Sequence, residues 1–388
     1  MKRIEDAIRI GADYCIEVLL DERGRSRCDY NVNQGVWELY EPCWHTGQII
    51  YALVEAYKIL KDPKYLRGAE RGASYISSLR MEEPSSLKGM LKAIHMGGVP
   101  YINMTTITDG STGLIRLYEI TRERRWLNIL VEAGDWMIKN LWIPDERLFY
   151  DMVDPKTGEP ITEFSVWSKR KNPKITEVAR PNVEGALYYH LWRHTKNRKY
   201  KEIFLESIER VLEDQSEDGL WMDYHPNDRA RGSVHARFNL WYAEALCDAY
   251  ELTRDGRYIE AAARTAKRYQ KFQEPDGTIW YRNYVNGRKD RSSPCGSAVA
   301  FAGILWLRLL KTGLFKGEFE GNVELAVEWV IKNQFPADHP DPNLRGCFFE
   351  FWVKRKAGKF NIYQRDIATS FSIRFLADYL RWKGMDEK

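Results

Sequence analysis

The sequence predicts an all-α fold, an (α/α)6 barrel: a toroid of six helical hairpins with short extended segments in the loops at one end. Three observations predict it. One signature recurs four times, an aromatic, a polar turn-like stretch and a second aromatic eight residues on: Tyr57–Tyr65, Tyr118–Trp126, Trp192–Tyr200 and Tyr250–Tyr258. A unit that recurs in this way is one supersecondary element that stacks on its own copies. The helix-period segments are also of two kinds that alternate along the chain. Short turns and long loops alternate with them.

The first kind of helix is charged and amphipathic, over about 3–20, 65–80, 125–141, 199–213, 257–272 and 323–334. In the fourth of these, Ile203, Phe204, Ile208, Val211 and Leu212 make one stripe, as on an outer helix with one wet face. The second kind is apolar nearly all round, over about 44–60, 109–121, 182–195, 235–253, 296–311 and 366–382. Such helices need cover on every side and form an inner ring. Six outer–inner pairs close one barrel domain spanning 1–388.

Each signature joins an inner helix to the next outer one by a short turn. Each outer helix leads to the next inner one through a longer loop: 81–108, 142–181, 214–234, 273–295 and 335–365. Two of these loops carry a Gln, an Asp-Gly turn and a Trp, at Gln215–Trp221 and Gln273–Trp280, a pattern suited to a tight turn. The long loops and the inner-helix N-termini therefore share one end. Long loops on a rigid scaffold are where binding clefts form, and helix N-termini polarise bound groups.

This placement selects the candidate residues. Asp109, Glu184 and Asp366 are candidate acids, and His45 and His235 candidate bases. An Asp at a helix start also serves as an N-cap, whereas general acid work needs a carboxyl whose pKa is raised. Arg180, Arg237 and Arg365 suit a substrate carboxylate, because a planar guanidinium binds one through paired hydrogen bonds. Arg229, Arg231 and Arg291 lie near the same end. Glu41 and Asn182 offer polar contacts. Trp37, Tyr40, Trp44, Trp167, Trp221 and Trp280 are candidate walls for stacking on sugar rings. His190 and His194 have i, i+4 spacing that a metal could use, but no carboxylate neighbour is evident in the sequence, and a contact with the helix C-terminus accounts for them.

Composition narrows the class. The chain has 388 residues, 44% hydrophobic, with 14 Trp and 22 Tyr, enough for a large core. Its net charge of +4 comes without a basic run, so no nucleic-acid partner is expected. The longest uncharged stretch, Pro294–Leu307, falls short of the ~18 residues of a membrane span. The N-terminus carries acids within its apolar stretch and reads as a first helix, not a signal. The six cysteines lack framework spacing and read as reduced thiols of a cytoplasmic protein. No Walker, Rossmann or zinc-finger spacing occurs, so neither nucleotide, metal nor other cofactor is expected.

The alternating helices, the Asp-Gly-x-Trp turns and the polar inner-helix starts resemble the six-hairpin glycosidase-like superfamily. It includes unsaturated glucuronyl and rhamnogalacturonyl hydrolases, N-acylglucosamine 2-epimerases, glucuronyl C5-epimerases and several glycosidases. Ile107-Thr-Asp-Gly-Ser-Thr-Gly-Leu114 is similar to the start of the fourth helix in unsaturated glucuronyl hydrolases, where an Asp protonates a vinyl ether. Those enzymes carry a second Asp in the preceding loop, which here reads Ala93-Ile-His-Met-Gly-Gly-Val-Pro100 and has no acid. The 2-epimerases use two histidines across the cleft, which the resemblance would map to His45 and His235. Terpene cyclases share the Gln215–Trp221 pattern, but their D-x-D-D motif is not found. The expectation is a carbohydrate-active enzyme acting on a short saccharide, with hydrolysis through Asp109 first, isomerisation by a histidine pair second, and a non-catalytic sugar-binding toroid third.

Overall fold

The computed structural model describes residues 1–95, 99–356 and 359–386. Its helices are α1 (Lys2–Tyr14), α2 (Pro42–Leu60), α3 (Pro63–Ser78), α4 (Met104–Thr108), α5 (Thr112–Thr121), α6 (Arg124–Leu141), α7 (Leu187–Thr195), α8 (Arg198–Asp214), α9 (Phe238–Thr253), α10 (Gly256–Phe272), α11 (Gly296–Lys311), α12 (Glu320–Lys332) and α13 (Ile367–Asp386). All twelve predicted helices are present; the one expected over 109–121 begins at Thr112, with the short helix α4 before it. Inner helices α2, α4–α5, α7, α9, α11 and α13 follow one another round the axis, and α13 returns to pack on α2. Outer helices α1, α3, α6, α8, α10 and α12 cover them. This is the (α/α)6 barrel.

The repeated signature has a physical basis. In every copy, the carbonyl of the first aromatic accepts the N–H of a residue four positions on that ends the inner helix in the left-handed conformation. These residues are Lys61, Arg122, Lys196 and Arg254, so the turn closes in the way helix C-termini commonly do. The second aromatic is buried and begins the outer helix. Where it is a tyrosine, its hydroxyl reaches an acid on the preceding outer helix: Tyr65 to Asp13 at 2.9 Å, Tyr200 to Asp135 at 2.7 Å, and Tyr258 to Glu209. The signature thus encodes both the short turn and the lateral bond between outer helices.

The Gln and Asp-Gly turns do a related job. Gln215 Nε2 donates to the Ala261 carbonyl of α10 and Gln273 Nε2 to the Asn322 carbonyl of α12. Each turn therefore docks on the next outer helix. Trp221, predicted as a cleft wall, is consequently core: it is fully buried, and its indole donates to the Val211 carbonyl at 2.6 Å.

Short antiparallel strands tie the long loops together. Asp29–Asn31 pairs with Lys359–Arg365, joining the first loop to the last with Asp29 opposite Arg365. Ser233–His235 pairs with Trp280–Tyr284, and Ile102–Asn103 with Met152–Val153. The strands fix the loop bases at one end of the barrel. Among the described residues no helix is long and apolar enough to cross a membrane, and all six cysteines are buried and free.

Candidate active site

At the long-loop end lies a cavity of about 340 Å³. Of the candidates, Glu41, Trp44, Asp109, Glu184, Arg180, Arg237, Arg365, His235, Trp167 and Tyr40 line it.

Two breaks in the inner ring place its acids. Asp109 does not start a helix; it lies in the joint between α4 and α5, its N–H bonded to the Thr105 carbonyl. It is therefore no N-cap. Its carboxylate accepts the indole N–H of Trp44. That contact needs α2 close to the joint, and a Cβ on Gly47 would lie 1.8 Å from the Gly110 carbonyl oxygen. Helix α7 begins at Leu187, later than predicted, because Gly185 and Ala186 take positive φ. Glu184 precedes that kink in a 3-10 turn. Gly185 sits against the joint, where a Cβ would come 2.7 Å from Asp109 Cα. The close approach sets Glu184 beside Asp109.

Both carboxyls are almost wholly buried. Burial pushes Asp109 up to about 6, against the Trp44 hydrogen bond and the Arg374 charge. Burial also pushes Glu184 up to about 7, against Arg180, with the nearby Asp151 and Asp109 charges adding to the rise. Both Glu184 carboxyl oxygens are buried with no hydrogen-bond partner among the described residues.

Three arginines line the same cavity, each paired with a buried acid. Arg180 Nε lies 3.0 Å from Asp151, Arg237 Nη1 2.9 Å from Glu350, and Arg365 Nε 3.1 Å from Asp29. A buried pair of this kind fixes the orientation of the guanidinium. The other arginines near this end bind loop acids instead: Arg229 with Asp223, Arg231 with Asp228 and Arg291 with Glu274.

His235 ends a strand and does not start a helix. Its Nδ1 accepts the Arg237 N–H at 3.2 Å and its Nε2 lies 3.3 Å from the Tyr281 hydroxyl, which puts the proton on Nε2. Burial, with Arg237 and Arg365 nearby, holds it well below the usual histidine range. The predicted partner His45 is absent from the cavity. It is fully buried behind Trp44, with Nδ1 bonded to Asp366, which also accepts the Ser26 hydroxyl at 2.7 Å. His45 and Asp366 thus form a buried dyad, and no His45–His235 pair faces across the cleft. Asn182 is buried off the cavity, 3.3 Å from the Thr105 hydroxyl. Trp37 bonds Asn343 and Trp280 bonds Glu274, both outside the lining.

Several lining residues carried no sequence signal. His95, whose Nε2 is 3.0 Å from Glu41, comes from the acid-free loop; Met96–Gly98 of that loop lie outside the described residues. His225 stacks on Trp167 with ring centres 5.0 Å apart, and burial lowers it to about 4. Trp241, one turn after Arg237, meets Trp44 edge-on. Tyr281, Arg282 and Trp352 complete the rim.

Among the described residues, two groups place three metal-type ligand atoms within 4.8 Å of one another: Asp29, His45 and Asp366, and Glu119, His190 and His194. The second corrects the reading that His194 lacks a carboxylate, since Glu119 is 3.2 Å away. Arg365 binds Asp29 and Arg116 binds Glu119, so a cation in either group would meet a guanidinium.

The backbone closely follows solved structures. Cellobiose 2-epimerase from Bacillus thermoamylovorans superposes with a TM-score of 0.75 at 14% identity, over 98% of this chain and 100% of that one. A heparin-specific unsaturated glucuronyl hydrolase gives 0.71 at 12%, over 100% and 99%. D-mannose isomerase gives 0.67 at 14%, over 98% of both chains. The fold shared with these structures is the (α/α)6 barrel. No protein-family model and no curated protein matches the sequence. The solved structures that share this fold include both hydrolases and isomerases, and at these identities the likeness speaks for the fold alone.

Proposed function

We propose that the protein is a carbohydrate-active enzyme that cleaves a glycosidic or vinyl-ether linkage in a short, uronate-bearing saccharide. The observation that carries this reading is the Asp109–Glu184 pair: two buried carboxyls of raised pKa that line one cavity together with three anchored arginines. Asp109 donates its proton to the leaving oxygen or the vinyl ether. Glu184, both of whose carboxyl oxygens are free of hydrogen bonds among the described residues, takes a proton from the attacking water. The guanidiniums of Arg180, Arg237 and Arg365 hold the substrate carboxylate, and Trp167 and Trp241 flank the ring. General acid–base catalysis of this kind contributes about 10²–10⁴-fold.

The resemblance puts a second acid in the loop before α4, and this chain has none there. Glu184, on the next inner element, supplies the second carboxyl in this reading.

A second reading, sugar isomerisation, is favoured by three imidazoles on the same cavity, His95, His225 and His235. Incubation with unsaturated uronyl disaccharides and with mannose and cellobiose in D₂O separates the two. Cleavage releases new reducing ends. Deuterium at carbon 2 with no change in the number of molecules would establish isomerisation and overturn the first reading.

A further inference from the structure

Beneath Asp109 the barrel axis holds a second, internal cavity of about 20 Å³, room for one water or one ion of similar size, since a water needs about 10–15 Å³. Asp109 lines both this cavity and the cleft. Arg116, His190, Glu244, Asp248, Arg308 and Arg374 form most of the remaining wall. The cavity thus runs from the floor of the cleft towards the short-turn end.

Three nitrogens on this wall are buried with no partner among the described residues: Arg116 Nε, Arg374 Nε and His190 Nδ1. Arg374 and His190 are 4% and 3% exposed. An arginine Nε–H is a donor only, and a buried unpaired donor is costly. The neighbouring acids are paired with arginines. Asp248 accepts from Arg308 at 2.7 Å, and Glu244 lies 3.5 Å from Arg374. A single water accepts two hydrogen bonds and brings two protons that need acceptors of their own. A halide accepts from several donors and brings no proton.

We propose that this cavity binds a small monovalent anion of chloride size, held by Arg116 Nε and Arg374 Nε and by His190 Nδ1 in its Nδ1–H tautomer. Bound there, it offsets the Arg374 charge that favours ionised Asp109 and so holds the Asp109 carboxyl protonated. The site is independent of which reaction the cleft performs.

Crystals of the full chain soaked in sodium bromide, with data collected at the bromine edge, test the site directly. The expected result is one anomalous peak within hydrogen-bond reach of the three nitrogens, removed by back-soaking in chloride. Density without anomalous signal in the cavity, or bromide only on the exterior, overturns the proposal. In solution, the Asp109 carboxyl followed by ¹³C NMR titrates at higher pH in chloride than in gluconate of equal ionic strength. Identical titration in the two salts also overturns it. Arg374→Gln removes both effects; Arg116→Gln serves if that variant does not fold.

Discussion

The indole N–H of Trp44 donates to the carboxylate of Asp109, across the contact between α2 and the α4–α5 joint. The bond stabilises the charged form of the acid more than the neutral one. It therefore opposes the burial that raises Asp109, and Trp44 acts as a brake on that rise.

Replacing the brake has a definite sign. In Trp44→Phe, Asp109 is expected to titrate higher by roughly 1–2 units, the equivalent of a charge-assisted bond of about 1.5–3 kcal/mol. The alkaline limb of the pH–rate profile moves up with it. A limb that stays in place or moves down contradicts the role given to Trp44.

Glu184 gives a stability prediction. Its folded pKa, about 7, lies above the unfolded value of about 4.3. Its contribution is therefore fully present at pH 4 and is lost as pH rises through 7, when a charge must be buried. A shift of this size corresponds to about 3–4 kcal/mol. Glu184→Gln removes that cost, so the variant melts above the parent at pH 8.5 and close to it at pH 4. Thermal scans at both values check it, and a variant less stable at pH 8.5 contradicts it.

Gly185→Ala tests the close approach that joins the two acids. The position has φ +73°, and a methyl group would meet Asp109 Cα. An alanine at positive φ costs roughly 1 kcal/mol before any clash is counted. The expected result is a loss of more than about 1 kcal/mol in urea unfolding, together with a lowered kcat.

The signature tyrosines test the repeat. Tyr65→Phe and Tyr200→Phe each remove one hydroxyl bond to an acid on the neighbouring outer helix, with an expected cost of about 1 kcal/mol each. The residues belong to different hairpin pairs, so the double variant should be additive.

The helices, their two classes and the barrel were legible because burial imposes a periodicity that sequence displays directly. The site was legible only in part. Topology located Asp109, Glu184 and the three arginines at one end, since chain order alone fixes which ends of the inner helices share a face. It could not tell which side of an inner helix faces the axis. His45 and Asp366 turn into a buried dyad behind Trp44, and Trp221 turns into the core beneath its Asp-Gly turn. His95, His225 and Trp352 come from irregular loops, whose path depends on the strand pairing between loops and carries no periodic signal.

The central claim is that Asp109 is the proton donor. The most direct test is kcat of Asp109→Asn against the parent, on an uronyl disaccharide that the parent cleaves. The expected result is a fall of at least about 10²-fold in a variant that remains folded by circular dichroism. An Asp109→Asn protein that cleaves within a few-fold of the parent rate would contradict the account.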